Sequence, residues 1–375
     1  MMATKLNRRQ LLVRLGCLSL GCGWFRPGLA AKLLLEADDA QASNMLLLGC
    51  SKQELEYQLS AVTLDGAVQY QIPLAARGHE VAVAKPEFDL AACVARRPGK
   101  FIVLFNPRHG EILDTLQPPM GMHFYGHASF SEDALRMFVT AGEQDSSEGY
   151  VLVYSRSDSA TAWQLSARWP LGGLGPHQLL VLPGQRLVVA VGGIHTRGRE
   201  KLNLATMRPS LIYLNSLNGE HLMRRSLADH QLSIRHLAYS AHSDTLWLAC
   251  QGQDPEAEIS SLVYSHHGEG PLVALDPDAD YWGLFDRYVG SIACSQGEVL
   301  ASSPRGAKLG VWSEAQGELS HLVQMDDVCG LAGGETTWVA STGQGQLLGQ
   351  RGSGEDWRAQ SPLQWDNHLN LIALP

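Results

Sequence analysis

Five histidines in this 375-residue chain stand immediately ahead of short apolar runs, at His79, His127, His177, His236 and His368. Gly290 and Cys329 hold the same place before two further runs. The seven positions recur at intervals of 39 to 59 residues. A repeat that places histidine at one register position gathers the imidazoles in space. Clustered neutral imidazoles suit zinc, copper, iron or nickel. No carboxylates align with them in the repeat, which argues against calcium or magnesium, whose ligands are oxygens. The alternative for each histidine is a structural one, in which the ring bonds backbone or channel water; Gly78-His79 and Gly126-His127 have the look of the Gly-His pairs of WD-repeat propellers. Nothing in the chain reads as a Ser/His/Asp arrangement, a phosphate-binding glycine loop or a dinucleotide fingerprint.

The elements that must position these residues are strands. Thirty-eight glycines and many short β-type runs, separated by Pro, Gly, Asp and Ser, predict an all-β chain. After each repeat position comes the same order: an apolar strand, a turn, a second strand, a polar loop and two more strands. Such units match four-stranded propeller blades of roughly 40 to 50 residues. Residues 45 to 73 supply three strands with no leading one, and the C-terminal segment supplies a lone strand. The expectation is therefore a seven-bladed β-propeller whose C-terminal strand completes the N-terminal blade and closes the ring without a free edge. In that fold the first strand of each blade lines the central channel, so the residue that opens it belongs to a ring at the channel mouth.

The loop that follows each second strand returns to the same end, because neighbouring strands are antiparallel. The third blade carries a long one, Gly192 to Pro209, able to cover the ring. Cys329 is a possible further ligand or site thiol, although free cysteine also serves as a small buried hydrophobe. His123, Glu143, His195, Arg197 and Arg305 are candidates to support or cover the ring, with a plain loop role as the alternative. His266-His267 is expected at the surface.

Residues 1–30 read as an export signal, with a basic start, an apolar Leu11–Phe25 and a small-residue cleavage site at Gly28-Leu29-Ala30. Arg8-Arg9 resembles the twin-arginine signal, departing from it at Asn7 and Leu11. The apolar run, interrupted by Arg14, falls short of the roughly 20 residues a spanning helix needs. Residues 31–375 would then be a single propeller domain in the periplasm, without a membrane span. Loss of Lys5, Arg8, Arg9, Arg14 and Arg26, with no acid, takes the net charge from −9 to −14. That balance excludes a nucleic-acid partner. Cys50, Cys93, Cys250, Cys294 and Cys329 remain, an odd number, so at least one is free, ligated or paired between chains.

Gly175-Pro176-His177, Gly192-Gly193-Ile194-His195-Thr196, Met207-Arg208-Pro209-Ser210, Ser233-Ile234-Arg235-His236, Ser303-Pro304-Arg305-Gly306, Asp327-Val328-Cys329-Gly330 and Trp365-Asp366-Asn367-His368 together resemble a bacterial family, domain of unknown function 1513. The resemblance implies a twin-arginine-exported periplasmic propeller, often encoded beside imelysin-like iron-uptake proteins and a di-haem peroxidase-like protein. These readings together support a periplasmic protein that binds a transition metal, iron or copper ahead of zinc, through the five histidines and takes part in iron or copper acquisition. Two alternatives stand beside it: a metal-dependent oxidoreductase using the same axial site, and a metal-free interaction platform that docks an imelysin-like partner.

Overall fold

Strands rich in Val, Leu, Ile and Ala, broken by turn residues every few positions, leave this chain little choice but to pair edge to edge. The computed structural model describes residues 45–85, 89–157, 162–198, 200–351 and 354–373. The expected export signal, residues 86–88 and residue 199 lie outside these. Among the described residues only two short 3-10 turns, Leu204–Thr206 and Asp280–Phe285, interrupt the strands.

The fold is all-β and a β-propeller. Five four-stranded antiparallel sheets stand apart, and their innermost strands are Gly78–Val83, Met122–Phe130, Pro176–Leu182, Leu232–Ser240 and Ser291–Ser295. The described strands do not separate into seven four-stranded sheets as expected. Eight others share one sheet, which runs from Asp356–Gln360 inward to Val328–Gly333, then to Gln364–Ala373, and outward again through Met45–Gln53 to Val68–Pro73. The two halves meet through one parallel pair, Leu331 with His368, because two inner strands converge there on the axis. The C-terminal strand pairs antiparallel with Met45–Gln53, from Met45 with Ala373 to Lys52 with Gln364. Each inner strand packs against the next, and Gln364–Ala373 packs against Gly78–Val83, so the cycle of contacts returns to its start.

Burial follows position in the sheet. Ala91–Ala95 and Ile102–Phe105, second and third in their sheet, are buried throughout, whereas the outermost strand Ile112–Leu116 is exposed except at its middle and its last residue. Continuous apolar runs therefore mark the middle strands and alternation the outer ones. The core lies between sheets: Val94 and Leu104 of one pack with Phe124 and Val139 of the next. Each such side chain contributes roughly 1.5–3 kcal/mol when fully buried.

One packing unit has no counterpart in the repeat. The turn Asp280–Phe285 inserts Trp282 beside Trp312, with ring centroids 5.4 Å apart and planes 10° from parallel. Both indoles are fully buried, and both donate: Trp282 Nε1 to the Asp276 carbonyl at 3.0 Å and Trp312 Nε1 to the Tyr281 hydroxyl at 2.8 Å. Trp282→Ala is expected to destabilise the fold by about 3–5 kcal/mol. Urea unfolding monitored by circular dichroism checks this, and a loss below about 1 kcal/mol would show that the turn is not part of the core.

Candidate metal centre

The histidines do not open their strands. His127, His236 and His368 lie in the interiors of Met122–Phe130, Leu232–Ser240 and Gln364–Ala373, while His79 and His177 are second in theirs. In every case the pairing with the neighbouring strand slips at the histidine or directly before it: between Gly78 and Glu80, Phe124 and Ala128, Pro176 and Leu179, Ile234 and His236, and opposite Gly49 and Ser51, which pair with Leu369 and Trp365. Such bulges turn a side chain away from the regular alternation. Here they turn five rings toward the axis, and the site lies inside the hub rather than at its rim.

The rings form a closed circuit. Centroid separations are 4.7 Å from His368 to His79, 4.8 Å to His127, 4.6 Å to His177, 4.8 Å to His236 and 4.8 Å back to His368. Ligand-capable atoms of His79, His127 and His177 lie within 4.8 Å of one another, as do those of His127, His236 and His368. His127 is common to both groups. Gly126, with φ +103°, allows the approach: a Cβ there would sit 2.5 Å from His79 Cδ2.

Six nitrogens of this circuit are buried without a hydrogen-bond partner: both of His127, both of His236, His177 Nδ1 and His368 Nε2. His127 Nδ1 lies 3.0 Å from Glu80 Oε2 as an ion-pair contact and makes no hydrogen bond, so it counts among the six. Burial, reinforced by the neighbouring imidazoles, holds His127, His177, His236 and His368 well below the ordinary histidine range. They are neutral donors at pH 7.

Two carboxylates flank them. Glu80 accepts from the Ala128 amide at 3.3 Å and from Gln178 Nε2 at 3.1 Å, and Gln178 Oε1 accepts from the Leu237 amide at 2.8 Å. Burial pushes the Glu80 carboxyl up, against the pull of His368 and His79. Asp366 faces His79 Nδ1 at 3.4 Å and also accepts from Arg77 Nε. Burial alone would raise its pKa, but His79 and Arg77 outweigh that and hold it below the usual carboxylate range. A cavity of about 360 Å³, lined by inner-strand residues both apolar, such as Leu237 and Ile292, and polar, such as Ser291 and Asn370, has Glu80, Gln178 and His368 in its wall.

A family model described as a protein of unknown function, DUF1513, matches residues 72–372, which include all five histidines. The chain belongs to the DUF1513 family. No curated protein matches it. Among solved structures, the β-propeller domain of Cps50 (Swd1) from Myceliophteria thermophila is 10% identical with a TM-score of 0.53, over 76% of this chain and 89% of that one. A protein of unknown function from Bacteroides caccae is also 10% identical, with a TM-score of 0.49 over 88% and 99% of the two chains. BamB from Moraxella catarrhalis is 12% identical, with a TM-score of 0.48 over 84% and 82%. At these identities the likeness to the Cps50 domain shows the fold alone.

The other site candidates of this DUF1513 member fall in several places. Cys329 Sγ points to the Trp365 and Ser341 carbonyls at 3.4 and 3.6 Å, and burial pushes its thiol up to about 12, so it is a protonated core residue outside both histidine groups. His123 packs beside Tyr125 with both nitrogens unpartnered, and burial with Arg97 and Lys100 lowers it to about 4. Glu143 is held within its own sheet by Ser146 and Tyr150. The long loop after Gly192 lies across the hub: His195 Nδ1 meets Ser147 Oγ at 3.1 Å, Thr196 accepts from Arg97, and Lys201 donates to Gln253 at 2.6 Å, each partner belonging to a different sheet. Arg197 is exposed on its tip. Arg305 stacks on Tyr288 with its Cζ 4.3 Å from the ring centroid.

Sequence reading missed Glu80, Asp366 and Gln178, since each falls outside the repeat position; the Trp365-Asp366 pair was the one available sign. It also missed Cys50 and Cys93, whose buried sulfurs lie 3.4 Å apart. His266 is buried rather than at the surface, bonded through Nδ1 to the Tyr213 hydroxyl at 2.7 Å.

Two outcomes follow from this geometry. Gly126→Ala is expected to push the His79 ring out of the circuit and to cost about 1–3 kcal/mol, read as a lowered urea midpoint; an unchanged midpoint would mean that His79 has room to move. Protein kept in chelator should lose stability as pH falls below about 6.5, because the unfolded chain takes up protons that the four depressed imidazoles refuse. Stability is full above that pH, and each imidazole removes about 1.4 kcal/mol per pH unit below it. Glu80, whose raised pKa acts in the opposite sense, offsets one proton at most. A midpoint flat between pH 7.5 and 5 would contradict neutral buried rings.

Proposed function

We propose that this protein is a periplasmic transition-metal-binding propeller, with His79, His127, His177, His236 and His368 as the ligand set. The observation that carries the reading is the group of six buried imidazole nitrogens that make no hydrogen bond. A buried polar atom without a hydrogen bond costs about 1–3 kcal/mol, and several in one place are relieved together by a cation. The donor set fits: burial holds His127, His177, His236 and His368 neutral, the five rings face one another, and Glu80 and Asp366 bring negative charge to their edges, as carboxylates do behind metal-bound histidines. Bound metal would supply Lewis acidity or redox chemistry at the axis, while the chain's own residues hold the rings in register and exclude water. Five nitrogen donors exceed the four of a tetrahedral zinc site, which favours iron or copper.

The reading takes the eight-stranded sheet as two blades that meet at Leu331 and His368. Seven four-stranded blades then surround the axis, with the C-terminal strand closing the N-terminal blade. Export through a twin-arginine signal in residues 1–30, and service to iron or copper acquisition beside an imelysin-like or di-haem peroxidase-like partner, belong to the same proposal. The cavity with Glu80 and His368 in its wall favours one second reading, a metal-dependent oxidoreductase reached by a small molecule along that path.

Elemental analysis of protein purified from the periplasm is expected to find about one equivalent of iron or copper. His127→Ala with His236→Ala should abolish it while the circular dichroism spectrum stays that of the native fold. Wild-type protein without transition metal after loading with either ion would end the proposal; turnover of oxygen or peroxide by the loaded protein would select the second reading.

A further inference from the structure

The chain is acidic overall, with a net charge of −9, yet four cations meet at the end of the hub where the inner strands begin. Arg235 is the residue displaced by the bulge directly before His236. Its guanidinium lies under the long loop: a Cβ at Gly192 would be 3.1 Å from Arg235 Cζ, so glycine is what lets the loop close over it. Its Nε is buried and has no partner. Arg97 reaches in from the first four-stranded sheet, donates to Thr196 of the loop and lies 6.0 Å over the Tyr125 ring. Lys201 comes from the loop itself, and Arg305 from the fifth sheet, stacked on Tyr288.

These charges act on one another. Burial lowers the Lys201 ammonium, and Arg235, Arg305 and Arg97 lower it further. Among the described residues no ion pair joins any of the four to a carboxylate; the pairs present involve Arg77, His79 and His127. Converging cations with a partly desolvated guanidinium and no counter-charge are costly. The buried Asp366, by contrast, is answered by Arg77 and His79. Stacking on Tyr125 and Tyr288 fixes two of the guanidinium planes in advance, and a guanidinium presents its donors as a fork matched to two oxygens of one anion.

We infer that Arg97, Lys201, Arg235 and Arg305 form a binding site for a small oxyanion, a carboxylate or phosphate, adjoining the histidine ring beneath the Gly192–Pro209 loop. It deepens the metal reading, on which it rests only for its biological use: an anion held there would lie where a carboxylate or phosphate chelate delivers its ion. The binding itself needs no metal.

The test is calorimetric titration of the metal-free protein with citrate and with inorganic phosphate, at constant ionic strength set by chloride. Saturable binding of one or both is expected, and the tighter of the two names the class of anion. Arg97→Gln with Arg305→Gln should weaken it about tenfold or more, and Lys201→Gln, at an exposed position that leaves the fold intact, about threefold. The His127→Ala, His236→Ala variant should keep it within a factor of about two, so that failure of the metal reading and failure of this one are told apart. No saturable heat with either anion, or equal affinity in the Lys201→Gln and arginine variants, would overturn the inference.

Discussion

Five imidazoles packed edge to face in the middle of a protein cannot all be charged, and they cannot all find hydrogen-bond partners among themselves. That constraint organises the hub. The rings stand 4.6–4.8 Å from their neighbours around the circuit, close enough that one protonated ring raises the cost of the next. Desolvation and mutual repulsion therefore act in the same direction, and both keep the nitrogens as free donors. Their arrangement is set by the strands that carry them.

The scaffold meets the constraint by local irregularity. A regular strand would send His127 and its neighbours alternately to the two faces of a sheet, toward the packed cores between blades. The slip in pairing at or directly before each histidine redirects the side chain without breaking the sheet beyond it. Around the rings, polar groups are tied from sheet to sheet: Glu80 to Gln178 and Ala128, Gln178 to Leu237, and Asp366 to His79 and Arg77. These bonds fix the inner strands relative to one another, so geometry at the axis depends on several sheets at once. Charge is distributed with the same economy. Carboxylates sit beside the imidazoles, cations gather where the strands begin, and a cavity of mixed polar and apolar lining reaches Glu80 and His368.

Much of this was legible in the residues. Histidine at one register position of a recurring strand pattern identified the five rings and the axis on which they meet, because a propeller presents the same position of every blade to one place. The lone C-terminal strand likewise found its partner in Met45–Gln53. Less was legible where the repeat is broken. The bulges leave no mark in a pattern of apolar residues, so His127 and His236 were read at strand starts when they lie within strands. Cys329 occupies the repeat position but turns to backbone carbonyls, since a thiol packs against its sheet where an imidazole reaches past it.

Composition, periodicity and the placement of turns thus determined an all-β wheel and the residue types at its hub, because burial and pairing follow directly from side-chain polarity along a strand. Only the tertiary structure decided which carboxylates stand behind the rings, which cations face them across the mouth, and how the sheets share their edges. Glu80 and Arg97 come from one repeat and Asp366 and Arg305 from two others, and none of the four holds the repeat position. Their proximity depends on the angle at which blades meet and on where each loop folds back, and that is a property of the closed ring rather than of any segment within it.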